Sequence, residues 1–305
     1  MLDIVKRKLA IVRKRSSKFR SVIPNKVIRN LKWGEKKTLN FYKKYFCKVK
    51  YKSEFTNVYH IALQKTGTQW IQDVLLDPIV YKYSGMTVDK FGGCRRKSQA
   101  HPIRGLNEPF EKNSIVSTIS GTYKNYQKDI PKNDGKNAVF FVIRDPREMV
   151  VSWYFSTKNS HIIDHGTMHH VLRNKLREKS KKEGLRYTID LFDWKGKFEV
   201  MRSWMDKDRH KNIKIVKFED LTQDSLTTFK NLFNFIDVRI PEDSLKELIH
   251  SYSFEVLTGR DKGKEEESSH MRKGNSKSWK KHLDGDLISL LNTKASDIIQ
   301  GYCYE

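Results

Sequence analysis

An uninterrupted apolar run from Ala138 to Ile143 is the feature that most restricts the fold of this chain. Neither of its alternating faces carries a polar residue, so as a strand it would be buried on both sides, which is typical of parallel sheets covered by helices. Arg144 follows at once. Asp145 then suits an N-cap and Pro146 the first helical position. The sequence therefore predicts an α/β fold in which this strand leads directly into a helix.

A second transition from strand to helix surrounds residues 64–70, which read Gln-Lys-Thr-Gly-Thr-Gln-Trp. Residues 57–63, just before it, are rich in β-branched and aromatic side chains, and an apolar helical face follows it. We expect Thr68 to cap that helix. The free N–H groups of the helix N-terminus, aided by Lys65, would attract a phosphate or sulfate. An ordinary turn between a strand and a helix is the alternative interpretation.

Two further segments carry candidate anion ligands. Arg144 would lie at the carboxyl end of a strand, where open α/β sheets bind ligands, and Ser152 follows two helical turns later. Glu148 is predicted to complete a capping box with Asp145. Residues 272–280 form a basic, glycine-containing loop that could fold over a phosphate, although taken alone such a loop in so basic a chain is usually just solvated.

These three segments, in this order, resemble the motifs of sulfotransferases that use 3′-phosphoadenosine 5′-phosphosulfate (PAPS). The family's 5′-phosphosulfate loop is commonly Pro-Lys-Ser-Gly-Thr-Thr-Trp, from which this chain departs at Gln64, Thr66 and Gln69. The family's later signature, Arg-Lys-Gly-x-x-Gly-Asp-Trp-Lys, differs from this chain at Lys277 and Ser278. The loop of nucleoside triphosphatases, by contrast, places its lysine after the glycine.

The resemblance implies a three-layer α/β fold, with a central parallel sheet flanked by helices as in P-loop nucleotide kinases. It also implies a two-phosphate nucleotide site, in which Lys65 stabilises the leaving 5′-phosphate and aromatic side chains lie beside the adenine. The residues implied to bind PAPS are Lys65, Thr66, Gly67, Thr68, Gln69, Trp70, Arg144, Ser152, Phe218, Phe254, Arg272, Lys273 and Gly274. Arg144, Ser152, Arg272 and Lys273 would hold the 3′-phosphate.

The resemblance does not identify the catalytic base. Many soluble relatives carry a Lys-Thr-His segment whose histidine takes the acceptor's proton, but residues 114–123 contain no histidine and Thr122 stands near that place. Asp89 lies where other branches of the family use an acidic residue. His101 can titrate near neutral pH, and Glu108 is a third candidate. Each of the three is also explained as an ordinary loop or surface residue.

Charge and composition set the expected surroundings. The chain has 60 Lys and Arg against 36 Asp and Glu, a formal charge of +24, which suits polyanionic partners. Residues 1–52 are expected to form a basic N-terminal arm or helix, and residues 53–305 a single sulfotransferase domain. The arm would either contact an anionic membrane surface or be solvated. It lacks the roughly 20 consecutive apolar residues that span a bilayer, so we expect no membrane anchor and a cytoplasmic location.

No metal site is expected. Cys47, Cys94 and Cys303 are widely separated, which indicates a reducing compartment and no structural zinc. Of the histidines in the basic stretch that follows the second motif, His169 and His170 are adjacent and cannot both face one ion from a helix.

The sequence thus predicts an enzyme that transfers a sulfuryl group in line from PAPS to a hydroxyl or amine of a glycan, a lipid or a small molecule. Two alternatives remain open. One is a scaffold that binds the nucleotide but is catalytically inactive. The other is a nucleic-acid-binding protein, which is less favoured because no recognisable nucleic-acid-binding signature is present.

Overall fold

The computed structural model describes residues 43, 47–90, 109–160, 168–266, 269, 271, 272, 274 and 278–304. Most of the predicted arm lies outside the described residues. So do five residues named above, which are Cys94, His101, Glu108, Lys273 and Lys277.

Five parallel strands form one sheet. They are β1 (Asn57–Ala62), β2 (Thr87–Lys90), β3 (Ser114–Ile119), β4 (Asn137–Ile143) and β5 (Ile213–Lys217), in the spatial order β2-β3-β1-β4-β5. β1 pairs with both β3 and β4, so that Tyr59 lies between Val116 and Val139. Six of the seven residues of β4 are buried, as its apolar sequence predicts.

Helices cover both faces of the sheet. They are α1 (Thr68–Leu75), α2 (Pro78–Lys82), α3 (Tyr123–Asp129), α4 (Pro146–Phe155), α5 (Met168–Arg177), α6 (Lys181–Trp194), α7 (Lys197–Ser203), α8 (Phe218–Gln223), α9 (Ser225–Phe235), α10 (Glu242–Ser251), α11 (Phe254–Thr258) and α12 (Gly285–Gly301). Short 3-10 turns occupy Lys207–Arg209 and Ser278–Lys281, and a π-helical turn, Ser156–Ser160, follows α4.

Alternate residues of β4 face two separate apolar cores. Val139 and Phe141 pack with α4, α6, α7 and α12 on one side, and Phe140 and Val142 pack with α1, α9 and α10 on the other. The period of two in a strand directs these neighbours to opposite faces. The three-layer α/β fold with a central parallel sheet is therefore confirmed.

The segment just before the first strand packs against the rest of the fold. Residues just ahead of β1 contact the domain, because the Tyr51 hydroxyl donates to Asp237 at 2.8 Å and the Lys50 N–H donates to the Lys82 carbonyl.

Within the described ranges, none of the helices is both long and apolar enough to cross a bilayer.

Candidate active site

The carboxyl ends of β1 and β4 bring the first two motifs together. Arg144 directly follows β4, and its Nη1 donates to the carbonyl oxygen of Lys65 at 2.9 Å. Lys65 has a φ of 76°, a left-handed conformation that is costly for a residue with a side chain. The Thr66 hydroxyl donates to the carbonyl of Leu63 at 2.8 Å. These two bonds stabilise the loop that carries the candidate catalytic lysine.

The N-terminus of α1 has no side-chain cap. Gly67 is the N-cap, with a φ of 74°, and Thr68 is the first helical residue, so the prediction that Thr68 caps the helix is wrong. A glycine was required because a Cβ at this position would lie 2.6 Å from the ring of Phe218. Without a capping side chain, the N–H groups of the first turn are left for a bound anion.

Glu148 joins the second motif to the third. Its Oε2 accepts from Arg144 Nη2 at 3.0 Å and from the Ser278 hydroxyl at 3.1 Å, and its Oε1 accepts from the backbone N–H of Trp279 at 2.7 Å. Arg272 Nη2 in turn donates to the Ser278 hydroxyl at 2.9 Å. One buried carboxylate therefore connects segments that are 130 residues apart.

The capping box predicted for Glu148 is wrong. The Asp145 carboxylate does accept from the N–H of Arg147, but the N–H of Asp145 donates to Glu219 Oε1 at 3.1 Å. Arg144 is itself buried, and a buried guanidinium without a carboxylate partner would be strongly destabilising. Glu148 meets that need instead of capping the helix.

The site holds more positive charge than the described carboxylates neutralise. Lys65 is half-buried, and burial, followed by the charges of Arg144 and Arg272, lowers its pKa to about 8. Among the described residues, no carboxylate forms an ion pair with Lys65, and the buried Nε of Arg144 has no hydrogen-bond partner. A phosphate or sulfate fits such a site because it would supply both the missing charge and the missing acceptor atoms.

Aromatic rings border this cationic cluster. The guanidinium of Arg144 lies 4.4 Å from the ring centre of Phe218. Trp70 Nε1 donates to the carbonyl of Tyr252 at 2.8 Å. Tyr252 precedes Phe254 by two residues in the chain. Phe254 itself is buried, and its ring lies near Arg260 and Gly274.

The contact between Gly274 and Phe254 yields a prediction. A Cβ on Gly274 would lie 2.6 Å from the ring of Phe254, whereas one on Gly259 would meet nothing within 4 Å. Both glycines are left-handed, with φ of 70° and 71°. We expect Gly259→Ala to cost about 1 kcal/mol from backbone strain alone. Gly274→Ala should cost about 1–3 kcal/mol more, because the ring must move. Urea unfolding measures the difference, and equal losses would show that the two residues do not pack together.

The remaining candidates are placed as follows. Ser152 is half-buried on α4, two turns beyond Arg144, and Gln69 is exposed. Asp89 lies in β2 beside Val116, and its pKa is raised by burial and by the charge of Glu111. Glu111 precedes β3, so the charge that acts on Asp89 comes from there and not from Lys65.

The end of β3 offers no titratable group. Ile119 is buried there, and the Thr122 hydroxyl accepts from the N–H of Asn125 and donates to its side-chain oxygen. His60 is fully buried on β1, where its Nδ1 lies 2.7 Å from the Ser117 hydroxyl and burial lowers its pKa to about 3. It is therefore a neutral core histidine.

Sequence reasoning missed one lysine beside the loop. Lys197, the first residue of α7, is 2% exposed, and its Nζ donates to Gln64 Oε1 at 3.2 Å. Its sequence neighbours, Lys195 and Gly196, predict a solvated turn. The burial comes from Phe192, which is close in sequence, and from Trp153, which is distant in sequence. The amine lies over both rings.

Comparison with known proteins identifies the family of this chain. A family model described as a sulfotransferase domain matches residues 56–295. Sulfotransferase 2A6 of Mus musculus is 25% identical over 157 residues, which is 48% of this chain and 51% of that protein. Luciferin sulfotransferase of Photinus pyralis is 23% identical over 181 residues, or 55% of this chain and 45% of that protein. The chain thus spans about half the length of these curated relatives.

A solved structure agrees in fold. The crystal structure of a mouse sulfotransferase complexed with PAP aligns with 87% of this chain and 92% of its own, with a TM-score of 0.54 and 14% identity. At that identity the likeness extends to the fold alone.

Proposed function

We propose that this chain, which belongs to the sulfotransferase domain family, transfers a sulfuryl group from PAPS to a hydroxyl or amine acceptor. One observation carries the proposal. Three cationic segments separated along the chain converge through Arg144 and Glu148 on Lys65, which has no carboxylate partner among the described residues. Such convergence suits a ligand with two separate anionic groups.

Each segment has a role in this proposal. Lys65, Thr68 and the N–H groups at the start of α1 would hold the 5′-phosphosulfate. Arg144, Ser152, Arg272 and Lys273 would hold the 3′-phosphate, and Phe218, Phe254 and Trp70 would flank the adenine. The donor supplies an activated sulfuryl group. Because sulfuryl transfer moves diffuse negative charge between oxygens, positioning and cationic stabilisation supply most of the catalysis.

Lys65 stabilises the charge that develops on the leaving phosphate oxygen. In the free protein its pKa is lowered to about 8, and a bound anion would raise that pKa and keep the ammonium protonated. Anchoring of the remote 3′-phosphate orients the reacting group and favours the sulfated nucleotide over ATP.

The experiment that tests the proposal is transfer of label from [³⁵S]PAPS to a panel of glycans, lipids and phenols. We expect a labelled product from at least one class and release of 3′-phosphoadenosine 5′-phosphate (PAP). If no class of acceptor is labelled although the protein binds PAP, the result would instead support the inactive scaffold.

Proton uptake on nucleotide binding gives a second prediction. At pH 8 about half of Lys65 is neutral in the free protein, so binding of PAP should take up about half a proton at this residue. The proton uptake at Lys65 should fall toward zero below pH 7, where the lysine is already charged in the free protein. Calorimetry in buffers of different ionisation enthalpy measures it. Uptake that is unchanged in Lys65→Ala would contradict the assignment of the 5′-phosphate to Lys65.

A further inference from the structure

Lys197 is an unusual neighbour for the donor site because it is a buried lysine that pairs with no acidic residue of the described ranges. Its Nζ donates to Gln64 Oε1 at 3.2 Å, and Gln64 immediately precedes Lys65. Gln64 is exposed whereas Lys197 is 2% exposed, so this hydrogen bond joins the buried amine to a residue at the surface. Within the described part of the chain, no carboxylate forms an ion pair with Lys197.

The surroundings of Lys197 favour its neutral form. Burial is the main cause that lowers its pKa to about 7, and the charges of Lys195 and Lys65 lower it further. His169 on α5 faces the same amine, since the charge of Lys197 is one of the causes that lower the histidine's pKa. The groups that face Lys197 from its own segment, from the Lys65 loop and from α5 are therefore basic. An amine of this kind can accept a proton near neutral pH.

The contacts of Lys197 also leave its lone pair available. An amide oxygen can only accept hydrogen bonds, so the amine is the donor to Gln64, and the lone pair of its neutral form is not used by that bond. The Nζ lies 4.3 Å from the ring centre of Phe192 and 5.9 Å from that of Trp153. These ring faces stabilise the ammonium that forms when a proton arrives.

We propose that Lys197 is the general base that removes the proton from the sulfuryl acceptor. This inference rests on the proposed function. The acceptor oxygen or nitrogen forms a bond to sulfur as the bond between sulfur and the 5′-phosphate oxygen breaks. The electron pair of the broken bond stays on the phosphate, and the acceptor's proton moves to Nζ of Lys197 and later to solvent.

The proposal accounts for two departures from the family pattern. The segment 114–123 contains no histidine, and a lysine from α7 takes over the proton transfer. Gln64 stands where the family commonly has proline. A proline side chain has no oxygen that could hold the amine beside the loop.

The test uses hydrolysis of [³⁵S]PAPS by the full chain, with water as the acceptor, because every acceptor must lose a proton. We expect the wild-type rate to rise with pH through about 7. Lys197→Met and Lys197→Arg should both lower the rate by about 10²-fold or more and lose this rise. Lys132→Met is the matched control, since burial also lowers the pKa of Lys132 but its amine donates to the carbonyl of Tyr126. It should match the wild type.

Lys197→Arg separates a base from a permanent cation. Arginine stays protonated, so a fully active arginine variant would show that Lys197 supplies charge and would overturn the proposal. A rate that falls with rising pH through 7 would have the same meaning. If the wild-type protein binds PAP but releases no sulfate at any pH, that result would also contradict the assignment of Lys197 as the general base.

A measurement without turnover completes the test. In protein labelled with ¹³C at lysine Cε, one resonance should titrate near pH 7 and be absent from Lys197→Met; a Lys197 resonance that titrates near 10 would contradict the proposal. Calorimetric binding of PAP by both variants shows that the site is intact. Failure of the wild type to bind PAP would overturn the proposed function, whereas binding with a wild-type rate in Lys197→Met would overturn only this inference.

Discussion

Replacement of Lys65 by alanine is expected to lower the rate of sulfuryl transfer by about 10²- to 10³-fold, the typical loss for removal of one transition-state donor. The ammonium acts on charge that develops on the leaving phosphate oxygen, so kcat should fall more than PAP affinity. Transfer from [³⁵S]PAPS and calorimetric titration with PAP measure the two effects separately. A variant with full activity would show that Lys65 is not the catalytic cation.

The stability of the Lys65→Ala variant serves as its control. The pKa of Lys65 is lower in the folded protein than in the unfolded chain, so charging this lysine opposes folding. That cost is fully present below pH 8 and is relieved as the pH rises toward about 10.4. The alanine variant should therefore unfold at no lower temperature than the wild type at pH 7, and a lost activity cannot then be attributed to unfolding.

Replacement of Glu148 by alanine is expected to lower the free energy of unfolding by about 3–5 kcal/mol. The guanidinium of Arg144 would be left buried without its carboxylate, and the Ser278 hydroxyl and the Trp279 N–H would lose their acceptor. The third motif would also lose its attachment to the second, so PAP affinity should fall. Urea unfolding at pH 7 measures the stability.

Glu242→Ala is the matched control for this variant. Glu242 pairs with Lys230 at 3.1 Å, but both side chains are exposed, and pairs of this kind contribute at most about 1 kcal/mol. Equal losses of unfolding free energy in Glu148→Ala and Glu242→Ala would contradict the bridging role of Glu148. The variant Glu148→Gln keeps an acceptor oxygen without the charge. We expect its free energy of unfolding to lie between those of the wild type and Glu148→Ala.

The fold was largely predictable because it follows from local patterns. The apolar run of β4 indicates burial on both faces, and the observed strand packs against two cores. The three motifs are short and ordered along the chain, and Arg144, Lys65 and Arg272 do meet in space. Parallel strands bring their carboxyl ends to one edge, so segments distant in sequence converge there.

The errors arose where a distant partner outweighs a local preference. Glu148 has the spacing of a capping box, but the partners it takes are Arg144 and two groups about 130 residues further along the chain. Thr68 is a good capping residue, yet Gly67 takes the N-cap because Phe218 packs against it. The burial of Lys197 likewise depends in part on Trp153 of α4, which is distant in sequence.

Calorimetric titration of the chain with PAP, compared with 5′-AMP, tests the central claim of a two-phosphate nucleotide site most directly. We predict micromolar binding of PAP and binding of 5′-AMP that is weaker by about 10- to 100-fold, since charge-assisted hydrogen bonds from Arg144 and Arg272 would lack the 3′-phosphate. Absence of PAP binding at micromolar concentrations, or equal affinity for the two nucleotides, would contradict the account.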